Sequence, residues 1–219
     1  MSRIARLILP GACHYVLCQA AKHHAPFRSP NACECYLGLL HEYAERTGLA
    51  VKAWCLLPSQ VHLVVVPGRA DSIGRTVRAT HIAFDLAHPN GTAHGQRRWK
   101  DRPNVCALQA EFVPWAIHRV EHVPVRLGLV SSPEQHEWSS AGVTRPSIVT
   151  GSDSAAPTDG GAFSPTRHEH SLEFRFARCL QTGKPMGRDD FSRDVWTYTL
   201  DRRHCRTVAS SSPWAEQTR

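Results

Sequence analysis

His62 stands in the apolar run Gln60-Val61-His62-Leu63-Val64-Val65-Val66, where a strand period of two puts Gln60 and His62 on one face. An imidazole beside an amide can hydrogen-bond, move a proton or ligate a metal. A second candidate is His118-x-x-Glu121-His122, which fits an inverted zinc-peptidase pattern with both histidines on one helical face. Pro124 ends that helix too soon for a metallopeptidase helix, so zinc is not expected there. The third is the stretch Arg97-Arg98-Trp99-Lys100-Asp101-Arg102, whose cations and indole suit phosphate contacts and base stacking.

The elements that must position these groups are legible in the patterning. Ala12–Ala20 is β-branched and aromatic enough for a strand after the Pro10-Gly11 turn signal. Tyr36, Leu39, Leu40 and Tyr43 recur at helical spacing, with Ser29 before Pro30 as a cap and Gly48 as a stop. Leu49–Leu57 alternates, with Leu49, Val51, Ala53, Cys55 and Leu57 expected on one face, and turns at Pro58-Ser59 into Val61–Val66 as a hairpin. A helix over 71–87, a loop over 88–98, a short strand over 104–109 and a helix over 111–123 follow. The order β-α-β-β-α-β-α predicts an α+β, ferredoxin-like sandwich, an antiparallel sheet with helices on one face. The other face is then free to bind a partner.

From 147 to 171 the chain turns to Ser, Gly, Ala, Asp and Pro without apolar periodicity, a composition that cannot offset the entropy of ordering. The expected organisation is a domain over 1–146, a flexible linker over 147–171 and a helical C-terminal tail over 172–219. Helices are expected over 173–180 and 189–203.

Composition narrows the function classes. The net charge of +7 permits a polyanionic partner. The first 70 residues carry seven Lys and Arg against three acids and residues 71–147 nine against seven, so the excess lies mostly in the first two thirds of the chain. None of the eight cysteines forms a C-x-x-C pair, so they are expected to be reduced, buried small hydrophobes. No apolar run reaches the roughly 18 residues of a membrane span, and the start has no secretory apolar segment. The expectation is a cytoplasmic protein with no membrane partner, monomeric or dimeric.

The hairpin Ala53-Trp54-Cys55-Leu56-Leu57-Pro58-Ser59-Gln60-Val61-His62-Leu63-Val64-Val65-Val66 resembles that of the REP-associated tyrosine transposases, single-tyrosine enzymes whose second hairpin strand carries two histidines around one hydrophobic residue, the HUH motif. His118-Arg119-Val120-Glu121-His122-Val123-Pro124-Val125-Arg126-Leu127-Gly128-Leu129-Val130 is similar to the family's R-Y-I-E-L-N-P-V-R-A-G-L-V segment. Glu137-Trp138-Ser139-Ser140 and Thr182-Gly183-Lys184-Pro185-Met186-Gly187 resemble two further family segments in the right order. The likeness covers residues 4–145 and 172–205.

The resemblance implies DNA transposition, in which Mg²⁺ or Mn²⁺ polarises a phosphate and a tyrosine attacks it to form a 5′-phosphotyrosyl bond with single-stranded DNA. It implies partners that are single-stranded or hairpin DNA built from palindromic repeats. It also marks the departures. Gln60 replaces the first HUH histidine and leaves His62 as the remaining one of a degenerate metal site. Arg119 stands at the catalytic nucleophile position and Val123 at the asparagine position. DNA contacts are expected from Arg97, Arg98, Trp99, Lys100, Arg102 and Arg126. A transposase-family DNA binder with strand transfer impaired or lost is the leading expectation; the alternative is a non-enzymatic DNA-hairpin binding module, co-opted or decaying.

Overall fold

A computed structural model of the chain describes residues 7–89, 97–100, 102–142 and 167–210, with side chains in the last segment at 171–201. The expected linker therefore lies outside the described residues, except at its end.

The first strand, β1 (Cys13–Gln19), leads through a loop to α1 (Pro30–Thr47). Ser29 caps α1, its side chain accepting from the backbone N–H of Ala32 at 3.3 Å, which satisfies one of the helix's orphan donors. Gly48 ends the helix with φ 66°, a left-handed conformation that glycine adopts without steric cost. The next strands, β2 (Leu49–Leu57) and β3 (Gln60–Pro67), pair as the expected antiparallel hairpin. They are followed by α2 (Ser72–Ala87), β4 (Asn104–Leu108), α3 (Val113–Glu121) and the single turn α4 (Val123–Arg126). Two further helices, α5 (Arg167–Thr182) and α6 (Asp189–Ser210), complete the described chain. Pro124 shortens α3 as expected, yet the chain makes one more helical turn because proline fits the first turn of a helix.

The sheet is antiparallel with order β2-β3-β1-β4, the ferredoxin-like arrangement. On one face Val16, Leu56, Leu63 and Val65 pack with Tyr36 and Leu40 of α1 and Ile73 and Phe84 of α2. The opposite face is not bare. Tyr15, Cys55, Val64, Cys106 and Leu108 pack there against Ala116 and Val120 of α3 and Phe176 and Leu180 of α5. The expectation of helices on one face holds for α1 and α2, while α3 and α5 cover the face expected to be free. The apolar stripe of α5 has to bury somewhere, and the second face of a Val- and Cys-rich sheet is the apolar surface available.

The expected alternation of β2 breaks once. A bulge between Val51 and Ala53 shifts the register, so Leu49 and Val51 face α1 and α2 whereas Ala53, Cys55 and Leu57 face α3 and α5. One extra residue in a period-two pattern moves every later side chain to the other face.

Both sheet edges are partly covered. Ser140 N–H donates to Trp54 O at 2.9 Å and Leu56 N–H to Trp138 O at 2.8 Å, which lays the Glu137–Ser140 segment along β2. At the other edge Met186 N–H donates to Ala107 O at 2.8 Å and Gln109 N–H to Met186 O at 3.0 Å. The segment after α5 thus continues the β4 ladder, and covered edges resist pairing with other chains.

Candidate functional site

On β3, Gln60 and His62 share a face as the strand period requires. The Nε2 of His62 lies 3.0 Å from Gln60 Oε1 and its Nδ1 lies 2.7 Å from the hydroxyl of Tyr15 on β1. An amide oxygen only accepts, so Nε2 carries the proton and donates to Gln60, and Nδ1 accepts from Tyr15. The ring is neutral in this arrangement. Burial pushes the imidazole down to about 3, helped by the nearby Arg119 guanidinium. Tyr15 is fully buried, and burial raises its hydroxyl well above the usual phenol range.

Facing this strand pair, α3 supplies Arg119. Its Nη2 lies 3.0 Å from Glu173 Oε2 of α5. The guanidinium also sits over the rings of Phe176 at 4.7 Å, Tyr15 at 5.9 Å and Trp115 at 6.0 Å, distances at which a cation is attracted to a ring face. The other oxygen of Glu173 pairs with Arg126 of α4. One carboxylate therefore bridges two arginines, and Arg119 Nε is buried with no hydrogen-bond partner among the described residues.

The remaining motif residues are structural. Val123 is buried beside Val120. Glu121 accepts from Ser140 Oγ at 2.9 Å, and that hydroxyl also accepts from Trp54 N–H at 3.2 Å, so the carboxylate ties α3 to β2. The rings of His118 and His122 stack at 3.6 Å, and His122 Nδ1–H donates to His118 O at 2.9 Å. Glu121 thus turns to Ser140 instead of completing a zinc triad.

The basic stretch divides in two. Ala21 N–H donates to Arg98 O and Lys100 N–H to Gln19 O, at 2.8 and 2.9 Å, so residues 98–100 run beside the end of β1. That pairing turns Arg98 and Trp99 inward. Trp99 is only 7% exposed, stacks on His81 at 3.8 Å and donates from Nε1 to Asp85 Oδ1 at 3.1 Å. Arg98, 4% exposed, pairs through Nε with Asp85 at 3.4 Å and donates to the His88 carbonyl. The Trp99 ring expected to stack on bases is in the core, whereas Arg97, Lys100 and Arg102 are exposed. Sequence reasoning missed Glu173, Tyr15 and Asp85. Of these, only Asp85 carried a signal, four residues after His81 and three before His88 and so on the same helical face.

No family profile matches the sequence and no curated protein matches it. Among solved structures, a REP-associated tyrosine transposase bound to a REP hairpin superposes with a TM-score of 0.56 at 16% identity, over 75% of this chain and 99% of that one. The chain has that transposase's fold. A candidate transposase from Deinococcus radiodurans matches with a TM-score of 0.40 at 16% identity, over 58% of this chain and 93% of that one.

On this transposase fold the donors around His62 do not fit a divalent cation. Gln60 and His62 are neutral and hydrogen-bond each other, Val123 is buried and offers no donor, and the Arg119 guanidinium adds positive charge. Hard divalent ions favour anionic oxygen ligands, and the carboxylate that is near, Glu173, is neutralised by two arginines.

Proposed function

We propose that the chain binds single-stranded DNA that folds into palindromic hairpins and no longer performs tyrosine-mediated strand transfer on it. The reading is carried by one observation, Arg119 held by Glu173 beside a neutral, doubly hydrogen-bonded His62, taken with the resemblance, which implies that Arg119 stands where the family has its nucleophile. A guanidinium cannot accept a phosphoryl group, but it can hold one. The family's reaction needs a nucleophile, and the described tyrosine at this site, Tyr15, is buried and held in its protonated form.

Support for a DNA partner comes from the shared fold, the net charge of +7 and the exposed cations Arg97, Lys100 and Arg102. Arg126 is half engaged with Glu173 and half open to solvent, which suits a further phosphate contact. Among the described residues no helix is long and apolar enough to cross a membrane.

A mobility-shift titration with a labelled hairpin oligonucleotide tests the reading. Affinity should fall steeply with salt, with a log–log slope of roughly −0.7 to −0.9 per phosphate neutralised. Replacing Arg97, Lys100 and Arg102 together by Ala should flatten that slope by about two to three units. No retention of the hairpin at low salt would refute it.

A further inference from the structure

Two cysteines meet where α5 rejoins the sheet. Cys106 on β4 has no solvent exposure, and Cys179 on α5 is partly exposed. Their thiols donate to adjacent carbonyls of one turn, Cys106 Sγ to Lys184 O at 3.3 Å and Cys179 Sγ to Pro185 O at 3.5 Å. The two thiols are close enough that each governs the other's ionisation. The turn is fixed at both ends, since Lys184 N–H donates to Cys179 O and Met186 N–H to Ala107 O.

We propose that Cys179 and Cys106 form an oxidant-sensitive pair in which Cys179 reacts with a peroxide and Cys106 resolves it into a disulfide joining α5 to β4. In the first step the Cys179 thiolate attacks a peroxide oxygen. An S–O bond forms, the O–O bond breaks, and the hydroxide that leaves takes up the proton Cys179 released on ionising, as water. In the second step Cys106 sulfur attacks Cys179 sulfur. The S–S bond forms as the S–O bond breaks, and the departing hydroxide takes the Cys106 proton as water. Hydrogen peroxide is reduced to two waters and the two thiols are oxidised.

The surroundings fit these separate roles. Cys106, whose S–H can turn from its carbonyl to donate to the Cys179 thiolate, brings the Cys179 thiol down to about 7 despite partial burial, with Arg175, Lys184 and Arg178 nearby. That donation and burial push Cys106 well up. A partly exposed thiolate is the species that peroxide reaches, and a buried partner thiol is protected until the first sulfur is oxidised. By contrast Cys35 is also partly exposed, but burial raises its thiol.

The full-length chain, reduced and then exposed to a few equivalents of hydrogen peroxide at pH 7, tests this by non-reducing peptide mapping. The expected product is a Cys106–Cys179 linked peptide. In Cys106→Ser, Cys179 should stop at the sulfenic acid and be trapped by dimedone, and in Cys179→Ser, Cys106 should remain reduced. Iodoacetamide should label Cys179 about tenfold faster than Cys35. Linkage of Cys179 to any other cysteine, over-oxidation of Cys179 without linkage, or equal labelling of Cys35 and Cys179 would overturn the proposal. Thermal melts of the Ser variants, matching wild type when reduced, show that the readout is not misfolding.

Discussion

Arg119 Nη2 lies 3.0 Å from Glu173 Oε2, joining two segments 54 positions apart in the chain. The side chains at this contact are 18% and 22% exposed, which places it between a surface pair of little worth and a fully buried one. Glu173→Gln keeps the shape and removes the charge, leaving Arg119 and Arg126 to repel each other. Stability should fall by about 1–3 kcal/mol, read as a lower urea midpoint with unchanged slope. An unchanged midpoint would show that α5 is held by Phe176 and Leu180 alone.

Trp99 and Arg102 should separate folding from binding. Trp99→Ala removes a ring packed against Phe27, Tyr36 and His81 and should cost about 3–5 kcal/mol. Arg102→Ala should leave the melting temperature unchanged and weaken hairpin binding. A Trp99→Ala protein as stable as wild type would place the indole outside the core.

Two buried histidines, His14 and His62, and the half-buried His81 set an acid limit. Burial lowers His14 to about 4 and His62 and His81 to about 3. Each is neutral when folded and binds a proton more readily when unfolded, near pH 6.5. Their contribution is therefore fully present above about pH 6.5 and is lost as the pH falls from there toward 4, at up to about 1.4 kcal/mol per pH unit for each. Melts from pH 7.5 to 4.5 should show Tm dropping throughout the lower half of the range, less steeply in His81→Phe. A flat profile would mean that these rings find a charged partner.

Rebuilding the family's groups should require several changes at once. Gln60→His, Arg119→Tyr and Val123→Asn combined restore two strand histidines, a nucleophile and a helix amide, and removing Arg119 also frees Glu173 Oε2. Because such groups act as a unit, the triple variant should form a covalent adduct with hairpin DNA and Mn²⁺ on a denaturing gel, and the single variants should not. An adduct from Arg119→Tyr alone would show that Gln60 suffices as a ligand.

Much of the frame was legible because local rules agree with the global fold. Ser29, Pro30 and Gly48 marked the ends of α1, and Pro58-Ser59 marked the β2–β3 turn, all by local backbone chemistry. The bulge at Val51/Ala53 was not legible, since an alternating run looks the same with or without an extra residue. Arg98 and Trp99 read as a nucleic-acid surface because composition does not reveal direction; pairing with Gln19 and Ala21 turns them toward Asp85. Glu173 was invisible as a site residue because nothing local ties it to Arg119 or Arg126. The likeness of the hairpin and the Pro124–Val130 segment led to a fold that the superposition bears out.

A holding site without a cutting group is tested by one labelled hairpin oligonucleotide incubated with the wild-type chain and Mn²⁺, then split between native and denaturing gels. A shifted band is expected on the native gel and free oligonucleotide alone on the denaturing one. A band that survives denaturation, or no shift on the native gel, would contradict it.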